Sequence, residues 1–181
     1  MRLILITVLL LLIIAIAGCY LPISGKVIDA ETQQPIEGAV VLVEWNEAHG
    51  LGLTYHTVYK IVETATDKKG DFFLPGAYSP FVDPPYLVIY KQGYIAWRND
   101  TIFPSFEKRK DYDVWRHNYV YRLEQFKESY SRFKHSMFMD TGIIGASYER
   151  TPRFEDATTF ESKAARPETE KYRQEYEGRK P

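Results

Sequence analysis

The four histidines, His49, His56, His117 and His135, are the side chains of this sequence best suited to proton transfer or metal ligation, and their spacing arranges neither. No HxH, HxxxH or HExxH pattern aims two imidazoles at one ion. No Gly-x-Ser-x-Gly elbow presents a nucleophile, and no GxxxxGK loop cradles a phosphate. Asp67, Asp71 and Asp83 are carboxylates of the kind that hold calcium. Lys68 and Lys69 stand between the first two, however, and a turn accounts for that stretch better. The one cysteine, Cys19, excludes an intramolecular disulfide framework and a thiolate zinc cluster. The sequence therefore predicts a protein with no catalytic residue, no metal and no cofactor. Recognition chemistry falls to the aromatic residues, 15% of the chain, with Tyr 14, Phe 10 and Trp 3. Trp45, Tyr55 and Trp97 are the candidate binding residues, a platform on which a glycan or peptide stacks.

These residues sit in a chain of 181 residues with a formal charge of −1, which offers no field for nucleic acid. The charge is uneven: 6 basic and 10 acidic residues run from Tyr20 to Phe106, then 16 basic and 14 acidic to Pro181. At the start, Met1-Arg2 precedes an apolar run from Leu3 to Ala17, which closes in Ala17-Gly18-Cys19. A short positive region, an apolar core and small residues before a cut make a secretory signal over residues 1–18. The alternative is an uncleaved signal anchor, for which the run is slightly short. Ile16-Ala17-Gly18-Cys19 resembles the lipobox of bacterial lipoproteins. That resemblance implies cleavage between Gly18 and Cys19, a diacylglycerol on the Cys19 thiol and a palmitate-type acyl chain on the new amino terminus. Such chains hold a protein stably at a membrane. Residues 19–21 would then be the acylated terminus and a linker. Tyr20 stands where an Asp would favour inner-membrane retention, so the resemblance implies the outer membrane of a cell envelope with two membranes.

From Leu21 to Tyr94 short apolar runs alternate with turns. Ile23 to Asp29 is a strand with apolar odd positions, and Glu31 to Pro35 is the turn after it. Ala39 to Trp45 is apolar at nearly every position, which a strand covered on both faces requires. Leu53 to Thr66 alternates, Asp67 to Gly70 is a hairpin turn, and Tyr86 to Lys91 is a further strand. Gly25 to Asp29, Thr32, Pro35-Ile36 and Gly38 to Val41 resemble the opening of carboxypeptidase regulatory-like domains. Thr66-Asp67, Gly70, Phe72, Leu74-Pro75, Leu87 to Ile89, Lys91 and Gly93-Tyr94 continue that resemblance, with Tyr119 to Leu123 as the last strand. It implies a mainly β, prealbumin-like (transthyretin-like) antiparallel β-sandwich over residues 22–123, acting as an accessory or binding module. The same sandwich carries 5-hydroxyisourate hydrolase, but the Tyr-Arg-Gly-Ser end of that enzyme is absent here.

Residues 124–181 form a helical, partly disordered C-terminal extension. Leu123, Phe126, Tyr130, Phe133 and Met137 recur every three or four residues, which predicts an amphipathic helix from Glu124 to Phe138 that Thr141-Gly142 ends. Thr151-Pro152 and Arg166-Pro167 predict the starts of two short helices. The sequence reads as a non-catalytic envelope lipoprotein, anchored at Cys19 and meeting an envelope protein partner. The alternative is a glycan- or peptide-binding module using the exposed aromatics of the sandwich.

Overall fold

The computed structural model describes residues 6, 19–50, 55–79, 82–111, 115–140 and 151–177. The signal segment 1–18, apart from Ile6, and Gly142 lie outside these residues. Among those described, no helix is long and apolar enough to cross a membrane.

The fold is mainly β. Among the described residues eleven strands follow in order: β1 Cys19–Tyr20, β2 Ile23–Asp29, β3 Val40–His49, β4 Tyr55–Ala65, β5 Asp71–Leu74, β6 Ala77–Tyr78, β7 Tyr86–Tyr90, β8 Trp97–Arg98, β9 Thr101–Ile102, β10 Glu107–Lys108 and β11 Tyr119–Leu123. Among the described residues, two helices follow the last strand, α1 Arg132–Asp140 and α2 Pro152–Glu177. A four-stranded sheet, β4-β3-β7-β8, packs on a three-stranded sheet, β11-β2-β5. Every pairing is antiparallel except β11 on β2, which is parallel.

The apolar run on β3 now has its reason. Val41, Val43 and Trp45 face the other sheet and join Val27, Phe72, Leu74, Ile89, Tyr121 and Leu123 in one core. Leu42, between them, faces the opposite way and joins Val88, Tyr90, Phe138, Met139, Phe154 and Ala157 in a second core. The central strand is buried on both sides because the helices cover the face that the second sheet leaves open. The molecule therefore has three layers, and the C-terminal segment is one of them.

Turn chemistry holds the sandwich together. Asp29 Oδ1 accepts hydrogen bonds from the amides of Glu31 and Thr32, while its Oδ2 accepts from Tyr94 and Gln125. Gly70 has φ +77, and a Cβ there would press on the Val27 carbonyl oxygen, so the Asp67–Gly70 turn needs a glycine.

The helices differ from the sequence expectation. Residues 124–131 are not helical. The Ile95 amide donates to the Glu124 carbonyl, Gln125 bridges Tyr94, and the Phe126 amide donates to the Gly93 carbonyl, so this segment extends the sheet pairing. Helix begins only at Arg132. The two short helices are one continuous helix that runs through Pro167. Pro167 and Lys163, whose carbonyl it crowds, are both exposed, so water can serve the freed carbonyl.

Both helices receive caps from other elements. Glu63 of β4 accepts from the Arg153 and Phe154 amides, and Glu168 of α2 accepts from the Arg132 and Phe133 amides and the Ser131 hydroxyl. A carboxylate at a helix N-terminus satisfies orphan N–H groups and complements the helix dipole.

Candidate functional site

Cys19 is not on a linker. It lies in β1, where Cys19 pairs with Tyr78 and Tyr20 with Ala77. Gly76 makes this possible, because any Cβ there would overlap the Tyr20 carbonyl oxygen. The indole N–H of Trp115 donates to the Leu21 carbonyl, and the Trp115 ring meets Tyr20 at 6.2 Å and Trp45 at 5.0 Å, both edge-on. The residue pair read as a tether is thereby tied to the sandwich core. Beside it, Leu21 is 67% exposed and Tyr78 58%, and the Tyr59 hydroxyl donates to the Tyr78 carbonyl.

The aromatic platform does not form. Trp45 and Trp97 are core residues, Trp45 between the sheets and Trp97 packed edge-on against Tyr121 at 4.8 Å. Alternation and hydrophobicity place their large rings inward, where they bury the most apolar area. Tyr55 alone of the three is exposed, at 61%, stacked on His49.

The histidines divide. His49 pairs with the Thr57 hydroxyl, His56 with Asp83 at 2.9 Å, and His117 Nδ1 accepts from the Ser24 amide. Among the described residues no three His, Cys, Asp or Glu side chains converge as metal ligands. His135 is fully buried between α1 and the sheet. Its Nε2 accepts from the Ala96 amide at 2.9 Å, so its proton sits on Nδ1, facing Glu161 Oε2 at 3.1 Å. Glu161, also fully buried, accepts from the Tyr90 hydroxyl at 2.5 Å and from Arg132 at 3.2 Å. Burial alone would raise the Glu161 carboxyl, but hydrogen bonds from His135 and Tyr90 and the positive charge nearby outweigh it and lower it. Burial, then the bond to Glu161, pushes the Tyr90 hydroxyl up.

Tyr, Glu, His and Arg are the ingredients of acid–base chemistry, yet a closed network admits no substrate. It locks α1 and α2 onto the sheet. Sequence spacing hides it, since its members come from β7, α1 and α2. The one signal is that Glu161 occupies the stripe Phe154, Ala157, Ala165 that otherwise turns apolar residues toward the sheet.

An open cleft lies at the other end of the four-stranded sheet. It encloses about 500 Å³ and is lined by Asn46, His56, Asp83 to Tyr86, Asn99, Asp100, Lys108 and Arg109. A bulge builds its back wall: Trp45 pairs with Lys60 but Asn46 with Val58, leaving Tyr59 as the extra residue. The Asp83 amide donates to the Asn46 carbonyl and Val82 bridges Glu47, which pins the Pro84-Pro85 segment to β3. Asn99 fastens the same segment, donating to the Pro85 carbonyl and accepting from the Leu87 amide. Arg98 grips Asp100 with two bonds, and Arg109 donates to the Arg98 carbonyl while its ring-facing side lies 4.6 Å from the Trp97 centroid.

No protein-family model and no curated protein matches the chain. Among solved structures, a streptococcal ancillary pilin is similar over 59% of this chain and 30% of its own, at 14% identity and a TM-score of 0.33. The C-terminal domain of the shaft pilin SpaA from Lactobacillus rhamnosus GG is similar over 60% of this chain and 98% of its own, at 13% and 0.34. A 3-chlorocatechol 1,2-dioxygenase from Rhodococcus opacus 1CP is similar over 61% of each chain, at 16% and 0.37. Structural proteins and an enzyme are thus met at the same low similarity, which carries no argument about activity.

Proposed function

We propose that the protein is a cell-envelope lipoprotein, held at the membrane by acyl chains on Cys19, with a non-catalytic, carboxypeptidase regulatory-like body that serves as an interaction module. The observation that carries this reading is the place of the lone cysteine. It follows an apolar run and Ala17-Gly18, and it is the first residue of the first strand. Exposed Leu21 and Tyr78 beside it suit the lipid–water boundary, where aromatic residues are at home. The closed state of the His135–Glu161–Tyr90 network supports the non-catalytic part. The outer membrane as address and an envelope protein as partner belong to the same proposal.

Labelling of cells with an alkyne fatty acid tests it. The wild-type chain takes the label and fractionates with membranes, whereas Cys19→Ala takes none. Equal labelling of Cys19→Ala, or an unlabelled wild type, overturns the anchor.

A further inference from the structure

We propose that the cleft behind Asn46 is a binding site for a hydroxyl-rich neutral sugar. The proposal is independent of acylation and does not use Trp45, Tyr55 or Trp97.

Asn46 begins the argument. It is 5% exposed, and its amide group is oriented by the buried Glu44, whose Oε1 accepts from Asn46 Nδ2 at 3.0 Å. Only the nitrogen can face a carboxylate oxygen, so Oδ1 is turned away from it, and Oδ1 has no hydrogen-bond donor. A buried carbonyl-type oxygen without a donor costs about 1–3 kcal/mol, and a site that receives a donor recovers it. Asn46 lines the cleft, and a ligand O–H or N–H that reaches Oδ1 removes that cost.

The rest of the lining narrows the ligand. His56 and Asp83 form one donor–acceptor pair, and the exposed side chain of Lys108 makes no hydrogen bond or ion pair among the described residues. Basic Lys108 and Arg109 are matched by acidic Asp83 and Asp100, so the cleft has no net field to select a phosphate or other anion. Hydroxyl groups, which donate and accept, satisfy such a mixed lining better than any single charge. Pro84 and Tyr86 add the apolar surface that the C–H face of a sugar ring covers. The volume lies within the range of small-ligand sites.

A peptide adding itself as a strand is disfavoured by the main chain. The Asp83, Leu87, Asn99 and Arg109 amides and the Asn46, Pro85, Arg98 and Asp100 carbonyls at this end are all engaged within the fold. These groups are closed to another strand.

Saturation-transfer NMR on the full chain tests the proposal, in a polyoxyethylene detergent that carries no sugar headgroup. The probes are maltotriose, cellotriose and N,N′-diacetylchitobiose, with trialanine as the peptide. Saturable transfer to at least one saccharide is expected, about tenfold weaker in Asn46→Ala and in Lys108→Met. Lys108 is on the surface, so Lys108→Met keeps the question answerable if Asn46→Ala does not fold. Absence of transfer to every saccharide overturns the proposal. So does transfer undiminished in the folded variants, and so does binding of trialanine in place of the sugars, which makes the cleft a peptide site.

Discussion

Glu161 shows what a single buried carboxylate does here. Removing it in Glu161→Ala leaves the buried His135 N–H and Tyr90 hydroxyl without their acceptor in a place water does not reach, and takes an ion partner from the half-buried Arg132. Breaking such a group from one side costs about 3–5 kcal/mol, whereas Tyr90→Phe, which deletes one donor, costs about 1–2 kcal/mol. Urea denaturation should rank them in that order, and near-equal losses would mean that Tyr90 does not depend on Glu161. Asp29 has its own lock. The Thr32 amide first, then Gln125, Glu31 and Tyr94, hold its carboxyl well below the usual carboxylate range. A sequence reading places Asp29 at the end of a strand, next to the Glu31–Pro35 turn that it caps. It does not find Glu161, since nothing local says that a glutamate on a helix will be enclosed by two other elements.

Elements were legible where a period is unambiguous. The apolar run of β3 fixed a strand covered on both faces, and the Asp67–Gly70 turn fell where glycine chemistry put it. The spacing Leu123, Phe126, Tyr130 was not decisive, because three apolar residues at such intervals fit a helix and also an extended segment whose side chains dip into a neighbouring core. Its backbone follows β8's loop instead, and Phe126 and Tyr130 still reach the second core. Pro167 misled differently, since proline favours a first helical turn but survives inside a helix on a wet face. Relieving it should help: Pro167→Ala is expected to stabilise the protein by about 1–3 kcal/mol, visible as a higher melting temperature. A lower one would show that the helix depends on the proline. Gly76→Ala acts on another element. Its methyl group would dislodge Tyr20–Leu21, and protease cleavage after Tyr20 or Leu21 should become faster than in wild type, with little change at the helices.

For the molecule as a whole, the three-layer arrangement gives two expectations. The carboxyls of Asp29, Asp67, Glu161 and Glu168 are all lowered by the fold. A lowered carboxyl binds its proton more readily in the unfolded chain, so its stabilising effect is complete above the unfolded value of about 4 and disappears as pH falls through the folded value. Stability should therefore fall steeply below about pH 5, with a shallower slope in Asp29→Asn, and equal slopes by acid titration of the melting temperature would remove Asp29 from the cause. Deleting residues 124–181 uncovers Leu42, Val88 and Tyr90, and the shortened chain should bind a hydrophobic dye and aggregate. A soluble, dye-free product would show that the sandwich stands alone, as the boundary drawn at residue 123 supposes. That boundary follows the last strand of the resemblance, Tyr119 to Leu123, and a resemblance confined to the sandwich carries nothing about the inner face of the extension that packs on β3 and β7.

The pairing of Cys19 with Tyr78 removes slack from the proposed anchor. A flexible chain lets a domain range over a radius that grows with the square root of its length, and here that length is close to zero. The body would tilt with the bilayer and turn about a fixed corner instead of searching the space above it. A binding event anywhere on its surface then takes place within one domain's width of the lipid, and a partner has to be equally close.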